Sequence, residues 1–139
     1  MRYDLLVIGA GPGGYEAAAY AARMGKKVAL FEKEELGGVC LNVGCIPTKT
    51  MLRSSKALDD CRQASAFGIQ AEGKPVLDMA AVQARKRKVI STLIRGVAGM
   101  LKGAGVEVVK GEARIVSPGL VSCAGQQYAG DHILIATGS

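Results

Sequence analysis

The sequence predicts an α/β fold, in which a mainly parallel sheet carries a small antiparallel β-meander. Short apolar runs alternate with helix-like amphipathic stretches along most of the chain, which is typical of parallel α/β proteins. A glycine-rich turn joins the first apolar run directly to the first helical stretch. Later in the chain, three short segments alternate between apolar and polar residues, which is typical of antiparallel strands.

The composition indicates an ordinary globular chain and disfavours several classes of protein. Of the 139 residues, 49% are hydrophobic and 22% are charged, which is too apolar for a disordered chain. No apolar run approaches the roughly 20 residues of a membrane span, and the N-terminus lacks a secretory signal, so we expect neither a membrane nor a secreted protein. The net charge of +6 would suit an acidic partner, but only 4% of residues are aromatic and we expect no nucleic-acid binding.

The first elements form a βαβ unit of about thirty residues. The apolar run Tyr3–Ile8 predicts a strand that is covered on both faces. Small residues over Ala17–Met24 predict a helix that Gly25 ends, and Lys27–Phe31 predicts a second strand. Because such crossovers are right-handed, the two strands should lie parallel in one sheet.

The rest of the chain predicts two further helices and several short strands. A loop opens at Gly37-Gly38, and Pro47 marks the first turn of a helix that runs to about Leu58. Asp78 is a suitable N-cap for a longer helix over Met79 to Leu101. The alternating segments, predicted to form the meander, and the last strand are Val106–Lys110, Ala113–Val116, Leu120–Cys123 and His132–Ala136.

The glycine-rich turn has the spacing of a dinucleotide-binding motif, Gly9-x-Gly11-x-x-Gly14. Gly9 would allow the tight turn, Gly11 would let the backbone approach a pyrophosphate, and Gly14 would let helix and strand pack closely. The N-terminus of the helix would then present N–H groups and a partial positive charge to the phosphates. The motif therefore predicts a Rossmann-like, FAD- or NAD(P)-binding fold.

An acidic residue follows at the position where such folds bind a ribose. Glu32 closes the second predicted strand, eighteen residues after Gly14. A carboxylate there would repel a 2′-phosphate, which favours FAD or NAD over NADP. The turn does not decide between FAD and NAD, and a generic strand–turn–helix with a solvated glutamate is the alternative.

Two cysteines, Cys40 and Cys45, are separated by four residues. A disulfide needs Cα atoms about 4.4–6.8 Å apart. Five residues span about 16 Å in a strand and roughly 9 Å in a helix, so the pair can bridge only through a distorted turn. Asn42 and Gly44 are residue types that tolerate such a turn.

The surroundings of the pair favour a redox role over a structural one. Cys45 precedes the helix predicted to start near Pro47, whose N-terminus would stabilise a thiolate, and Lys49 could add a positive charge. Zinc would need two more ligands, so we expect no metal site, and inert thiols are the remaining alternative. The other candidate ligands are scattered, and the two cysteines among them are interpreted as inert and buried; they are Cys61, Cys123 and His132.

The segment GGVCLNVGCIPTK, residues 37–49, closely resembles the redox motif of the class I pyridine nucleotide–disulfide oxidoreductases. Leu41, Ile46 and the upstream Gly13-Gly14-Tyr15 are most similar to the dihydrolipoamide dehydrogenases of that family, whose motif typically reads G-G-T-C-L-N-V-G-C-I-P-[ST]-K. Val39 stands where the family usually has Thr, a departure that leaves both thiols intact. The resemblance covers the whole chain.

The resemblance implies FAD as the cofactor and NAD+ as the co-substrate of a longer parent enzyme. It also implies that Cys45 lies against the flavin as a charge-transfer thiolate and that Cys40 exchanges with the substrate dithiol. The implied FAD contacts are Gly9, Gly11 and Gly14 at the pyrophosphate, Glu32 at the adenosine ribose, the Ala113 backbone at the adenine side, Lys49 near flavin N5, and Gly138 in the closing segment Ala136–Ser139, which matches the end of the family's first FAD segment.

By the same resemblance, residues 1–139 would be the first segment of an FAD-binding domain that is incomplete, with the NAD and interface domains absent. The parent would be a cytoplasmic homodimer that reoxidises dihydrolipoamide on lipoyl domains of a 2-oxoacid dehydrogenase or glycine cleavage complex. This segment alone would be inactive. The alternatives are a disulfide reductase of the glutathione or mercuric reductase type and a stand-alone nucleotide-binding module without turnover.

Overall fold

The structure is a computed structural model that describes residues 2–70 and 73–139. Strands and helices alternate along the first half of the chain, and four strands close the second half. In chain order the elements are β1 (Arg2–Ile8), α1 (Pro12–Arg23), β2 (Val28–Glu32), α2 (Gly38–Asn42), α3 (Cys45–Arg62), a 3₁₀ turn (Ala64–Phe67), α4 (Met79–Gly103), β3 (Glu107–Lys110), β4 (Arg114–Ser117), β5 (Leu120–Cys123) and β6 (Gln126–Ile135).

The strands form one six-stranded sheet in the order β3-β2-β1-β6-β5-β4. The first four strands of that order are parallel, and β5 and β4 continue the sheet in antiparallel pairing. In the centre of the sheet, Leu6 lies opposite Ala29 on one side and Ile133 on the other. The predicted α/β fold, with a parallel sheet and an antiparallel meander, is confirmed.

The strand composition of the meander differs from the prediction. β3, expected in the meander, pairs in parallel with β2, with Ala29 opposite Glu107 and Glu32 opposite Lys110. Alternation of apolar and polar residues shows that a strand is half-exposed, but it carries no information on strand direction. Direction follows here from α4, because a helical crossover returns the chain parallel to the strand it left.

The meander instead consists of β4, β5 and the first half of β6. β6 is therefore longer than the predicted strand over His132–Ala136 and begins at Gln126. Its first half pairs with β5, and from Ala129 onward it pairs with β1. One strand thus joins the parallel and antiparallel parts of the sheet.

The helix ends also differ from the predictions. α1 begins at Pro12 instead of Ala17, because the glycine-rich turn enters the helix directly and proline suits a first helical turn. α3 begins at Cys45, two residues before Pro47. α4 begins where predicted: the Asp78 carboxylate accepts a hydrogen bond from Ala81 N at 3.0 Å and caps the helix.

The parallel sheet is covered on both faces, which explains its nearly continuous apolar strands. On one face, Val7 and Leu30 belong to a buried cluster with residues of α1 and α4. On the other face, Leu6 and Phe31 belong to a buried cluster with the meander, where the rings of Phe31 and Tyr128 meet edge to face at 5.0 Å. Ligand access is therefore expected at the ends of the strands.

No helix in the described part of the chain combines the length and the apolar character needed to cross a bilayer.

Candidate functional site

A cleft of about 510 Å³ opens at the carboxyl edge of the parallel sheet. Four segments line it: the turn after β1, the segment that closes and follows β2, the short helix α2, and residues 136–139 after β6. In open α/β sheets this edge is where ligands bind, since loops from neighbouring strands converge there. The cleft volume lies in the range of small-molecule sites.

The backbone requires glycine at two of the three motif positions, for different reasons. Gly9 has φ +100°, and a Cβ there would overlap the carbonyl oxygen of Ala136. Gly14 is buried under the turn, where a Cβ would overlap the carbonyl oxygen of Gly9. Around Gly11, by contrast, no heavy atom of the described chain beyond its immediate neighbours in sequence lies within 4 Å of the Cβ position. Strand, turn and helix are therefore closely packed, and the turn leaves open space at Gly11.

The N-terminus of α1 is suited to an anion. Gly11 is the N-cap residue, and within the described residues no side chain caps the helix and its first turn carries no acidic residue. Gly11, Pro12 and Gly13 all line the cleft. An uncapped helix N-terminus offers N–H groups and a partial positive charge, which is the arrangement that binds phosphate groups.

Glu32 joins the turn to the segment after β2. Its Oε2 accepts a hydrogen bond from Ala10 N at 2.8 Å, and its Oε1 accepts one from Glu34 N at 2.8 Å. The half-buried carboxylate also lines the cleft. Each carboxylate oxygen can accept a second hydrogen bond, so these contacts leave capacity for hydroxyl groups of a ligand.

The segment after β2 fastens α2 against the glycine-rich turn. Gly37 N donates to Ala10 O at 2.8 Å, and a Cβ on Gly38 would lie 2.7 Å from the Cα of Gly11. The two backbones are therefore in direct contact. The sequence predicted only a loop here, because a five-residue helix that follows two glycines has no recognisable periodicity.

The structure brings Cys40 and Cys45 together. Cys40 lies in α2 and is half-buried, whereas Cys45 is exposed as the first residue of α3. Between them the chain turns sharply, because Val43 N and Gly44 N both donate to Val39 O, at 3.0 and 2.7 Å. Both thiols are free in the described structure.

The thiols of the pair lie close enough to influence each other's ionisation. Interaction with the Cys45 thiol as a hydrogen-bonding group, followed by burial and by the like charge of Cys45, raises the pKa of the Cys40 thiol. The Cys45 backbone N–H and the Lys49 ammonium lower the same pKa, but they do not outweigh the first three effects. Two neighbouring cysteines beside a helix N-terminus can, as thiols, reduce an external disulfide and, as a disulfide, oxidise an external dithiol.

The structure places the remaining predicted site residues at different distances from the cleft. Gly138 lines it, whereas Cys45, Lys49 and Ala113 are not among the described lining residues. Lys49 is exposed on the first turns of α3. Ala113 follows Gly111, whose N–H donates to the backbone oxygen of Glu32 at 2.8 Å, so it lies near the Glu32 end.

The two other cysteines differ from each other. Cys123 is buried as predicted, and burial raises the pKa of its thiol. The prediction that Cys61 is buried is wrong, because it lies exposed near the end of α3. Thr50 is the single buried residue among those described on α3, so most of this helix presents side chains to solvent.

Over residues 2–70 and 73–139, no three His, Cys, Asp or Glu side chains form a group that could hold a metal ion.

Sequence comparison assigns this arrangement of turn, cleft and thiol pair to a known family. The family model described as pyridine nucleotide-disulphide oxidoreductase matches residues 3–139. The chain therefore belongs to this family, which confirms the predicted resemblance. Enzymes of the family depend on FAD. Uncapped α1 and the open space at Gly11 fit the diphosphate of such a cofactor.

Individual relatives are similar over the whole chain. It is 47% identical over 139 residues to the dihydrolipoyl dehydrogenase of Mycoplasma pneumoniae, covering 100% of this chain and 30% of that protein. It is 48% identical over 140 residues to a dihydrolipoyl dehydrogenase of Bacillus subtilis, covering 98% and 30%. It is also 47% identical over 137 residues to the dihydrolipoyl dehydrogenase of Thermus scotoductus, covering 99% of this chain and 29% of that protein. The chain thus spans about 30% of the length of these curated relatives.

Proposed function

We propose that residues 1–139 are the first segment of the FAD-binding domain of a dihydrolipoyl dehydrogenase, a name used interchangeably with dihydrolipoamide dehydrogenase. The observation that carries the proposal is the Cys40–Cys45 contact, with Cys40 lining the same cleft as the glycine-rich turn. Relatives with that name match the whole chain, which supports this activity over a glutathione or mercuric reductase. The full-length enzyme would use NAD+.

The cofactor contacts follow from the cleft. The N-terminus of α1, with Gly9, Gly11 and the supporting Gly14, would hold the FAD diphosphate, and the Glu32 carboxylate would accept hydrogen bonds from the adenosine ribose. Gly138 lines the same cleft. The assignments of the Ala113 backbone to the adenine side and of Lys49 to the flavin follow from the family resemblance.

The thiol pair would perform the exchange with substrate. In the oxidised protein, a thiolate of the dihydrolipoyl group attacks the sulfur of Cys40 and breaks the Cys40–Cys45 bond; the second substrate thiol then displaces Cys40. The substrate leaves as a cyclic disulfide, and the two cysteines have gained two electrons and two protons. Bound FAD supplies two-electron transfer from this dithiol to NAD+. Cys45 would face the flavin and Cys40 the substrate.

The partners of the full-length enzyme are part of the proposal. A lipoyl group carried on a domain of a 2-oxoacid dehydrogenase or glycine cleavage complex would deliver the dithiol. A second copy of the enzyme would complete a homodimer in the cytoplasm. Relatives that carry the same enzyme name support this assignment.

Serine variants of the full-length protein test the proposal. We expect Cys40→Ser and Cys45→Ser each to lower lipoamide-dependent NADH oxidation by about 10³-fold or more, since neither can form the disulfide. Cys61→Ser is the matched control because Cys61 is exposed and lies outside the cleft lining that the structure describes. Turnover that survives in both single variants would refute the redox role. Faster turnover of oxidised glutathione or mercuric ion than of lipoamide would show that the proposed substrate is wrong and would assign the enzyme to that reductase type instead.

A further inference from the structure

Asn42, the chain's one asparagine, has both amide protons engaged. Its Nδ2 donates to Gly38 O at 2.9 Å, inside α2, and to Leu36 O at 3.1 Å, in the segment before the helix. An amide nitrogen has two protons to give, so both are used on the backbone. The sequence alone indicated only a residue type that tolerates a turn.

The two acceptors connect the thiol pair to the glycine-rich turn. Leu36 is next to Gly37, whose N–H donates to Ala10 O at 2.8 Å, and Gly38 packs against the backbone of Gly11. A chain of contacts therefore runs from the turn, through residues 36–38, to the Asn42 side chain. Cys40 lies between the two ends of this tie.

The position of α2 depends on such external bonds. The helix has five residues, and isolated helices shorter than about 12–15 residues are marginal in water. Gly37 and Gly38, at its start, have φ of +93° and +57°, so the entry to the helix is itself a backbone turn. Besides the Asn42 hydrogen bonds, two features hold the second half of α2 and the turn after it: Leu41 is buried in the core cluster, and the Val39 carbonyl accepts hydrogen bonds from Val43 N and Gly44 N.

We infer that Asn42 is a positioning residue that holds Cys40 within bonding reach of Cys45 and thereby stabilises their disulfide. The inference deepens the proposed function, on which it rests, because it needs the pair to be redox-active. Held thiols have a high effective concentration for each other, so the intramolecular disulfide is favoured over mixed disulfides.

The equilibrium with glutathione measures this effect directly. Oxidised glutathione takes two electrons and two protons from Cys40 and Cys45, which yields the protein disulfide and two reduced glutathione molecules. The full-length protein with bound FAD is equilibrated over a range of glutathione ratios, and the thiol fraction is read by alkylation and mass spectrometry. We expect the equilibrium constant for disulfide formation to fall about fivefold to tenfold in Asn42→Ala.

A second variant and a matched control separate positioning from general damage. Asn42→Asp keeps the shape but places a carboxylate against two carbonyl oxygens, so we expect a fall at least as large. Thr92→Val removes another side-chain hydrogen bond to the backbone four residues earlier, Thr92 Oγ1 to Lys88 O at 2.9 Å, on α4. We expect this control to leave the equilibrium constant unchanged.

The outcomes distinguish the inference from the proposed function. If the wild-type pair forms its disulfide and both Asn42 variants match it within twofold while staying folded, the positioning role is wrong. If Thr92→Val shifts the equilibrium as much as Asn42→Ala, the effect reflects global stability and the role is also wrong. If the wild-type pair forms no disulfide at any glutathione ratio, the proposed function fails instead.

Discussion

The two edges of the parallel sheet use polar groups in different ways. At the amino edge, side chains satisfy one another: the Tyr3 hydroxyl donates to Glu107 Oε2 at 2.5 Å, and Lys27 Nζ lies 5.0 Å from the centre of the Tyr3 ring. At the carboxyl edge, Glu32 accepts from backbone N–H groups of two loops and still borders a cleft. Each edge carries a glutamate that accepts hydrogen bonds: Glu32 borders the glycine-rich cleft, whereas Glu107 is not among its described lining residues.

The difference shows how one sheet serves both stability and ligand binding. At the amino edge, polar side chains bond to one another and so stabilise the fold. At the carboxyl edge, glycines remove side chains, which leaves the N-terminus of α1 and the turn at Gly11 accessible. Changes at the amino edge should therefore affect the free energy of unfolding, and changes at the carboxyl edge should affect cofactor affinity as well.

The largest effect is expected where the carboxyl edge is packed most closely. Gly14→Ala would place a Cβ against the carbonyl oxygen of Gly9, and backbone on both sides would have to shift. We expect the free energy of unfolding, measured by urea denaturation, to fall by about 3 kcal/mol or more.

Gly13→Ala is the matched control for the packing effect. It lies next to Gly14 in the same helix, and apart from its chain neighbours and the helix's own backbone, no heavy atom of the described chain lies within 4 Å of its Cβ position. Alanine is the better helix former, so we expect unchanged or slightly higher stability. Equal losses in the two variants would show that the close contact with Gly9 is not the cause.

Substitutions of Glu32 and Glu107 should have smaller effects, and these should differ in FAD affinity. In Glu32→Gln, the side-chain NH2 group would face one of the two backbone N–H groups, of Ala10 or of Glu34, that donate to the carboxylate in the wild type. In the full-length protein we expect FAD affinity to fall about tenfold, with about 1–3 kcal/mol less stability. Glu107→Gln should lower stability by about 1 kcal/mol and leave FAD affinity within twofold, as measured by fluorescence titration. Equal losses of FAD affinity in the two variants would show that the two edges do not differ in cofactor binding.

The last effect appears only at alkaline pH, as a loss of stability that originates at the amino edge. Burial, then the hydrogen bond to Glu107 and the charge of Glu107, raise the pKa of Tyr3 from its ordinary value of 10.0 to about 12. Between these values the folded state binds the proton more tightly than the unfolded chain. This contribution is therefore complete below pH 10 and is lost as the pH rises toward 12, with a slope approaching about 1.4 kcal/mol per pH unit.

Tyr3→Phe should make this alkaline decline shallower, as followed by urea denaturation at several pH values. Some decline should remain, because burial also raises the pKa of Tyr128. An identical slope in wild type and Tyr3→Phe would mean that Tyr3 does not hold its proton in the folded state.

Local patterns were sufficient for the carboxyl edge and for the longest helix. The run before Gly9, the glycine spacing and the position of Glu32 placed the turn and the acidic residue correctly around one cleft. Asp78 was correctly predicted to cap α4. These features depend on neighbours within a few residues, such as helix capping and the φ that glycine allows, and such interactions are visible in a sequence window.

Contacts between distant segments decided the rest. β3 lies beside β2 because α4 crosses over the sheet, and the exposure of Cys61 follows from how little of α3 is packed. The helix α2 exists where Gly37 and Gly38 meet the turn after β1, and where Asn42 ties the segment together. The sequence by itself determined which segments are strands, which helices are long, and where phosphate-binding glycines and paired cysteines stand. Only the tertiary structure decided the strand partners beyond the first βαβ unit and the contact of Cys40 with Cys45, because those energies come from contacts between segments that sequence periodicity does not link.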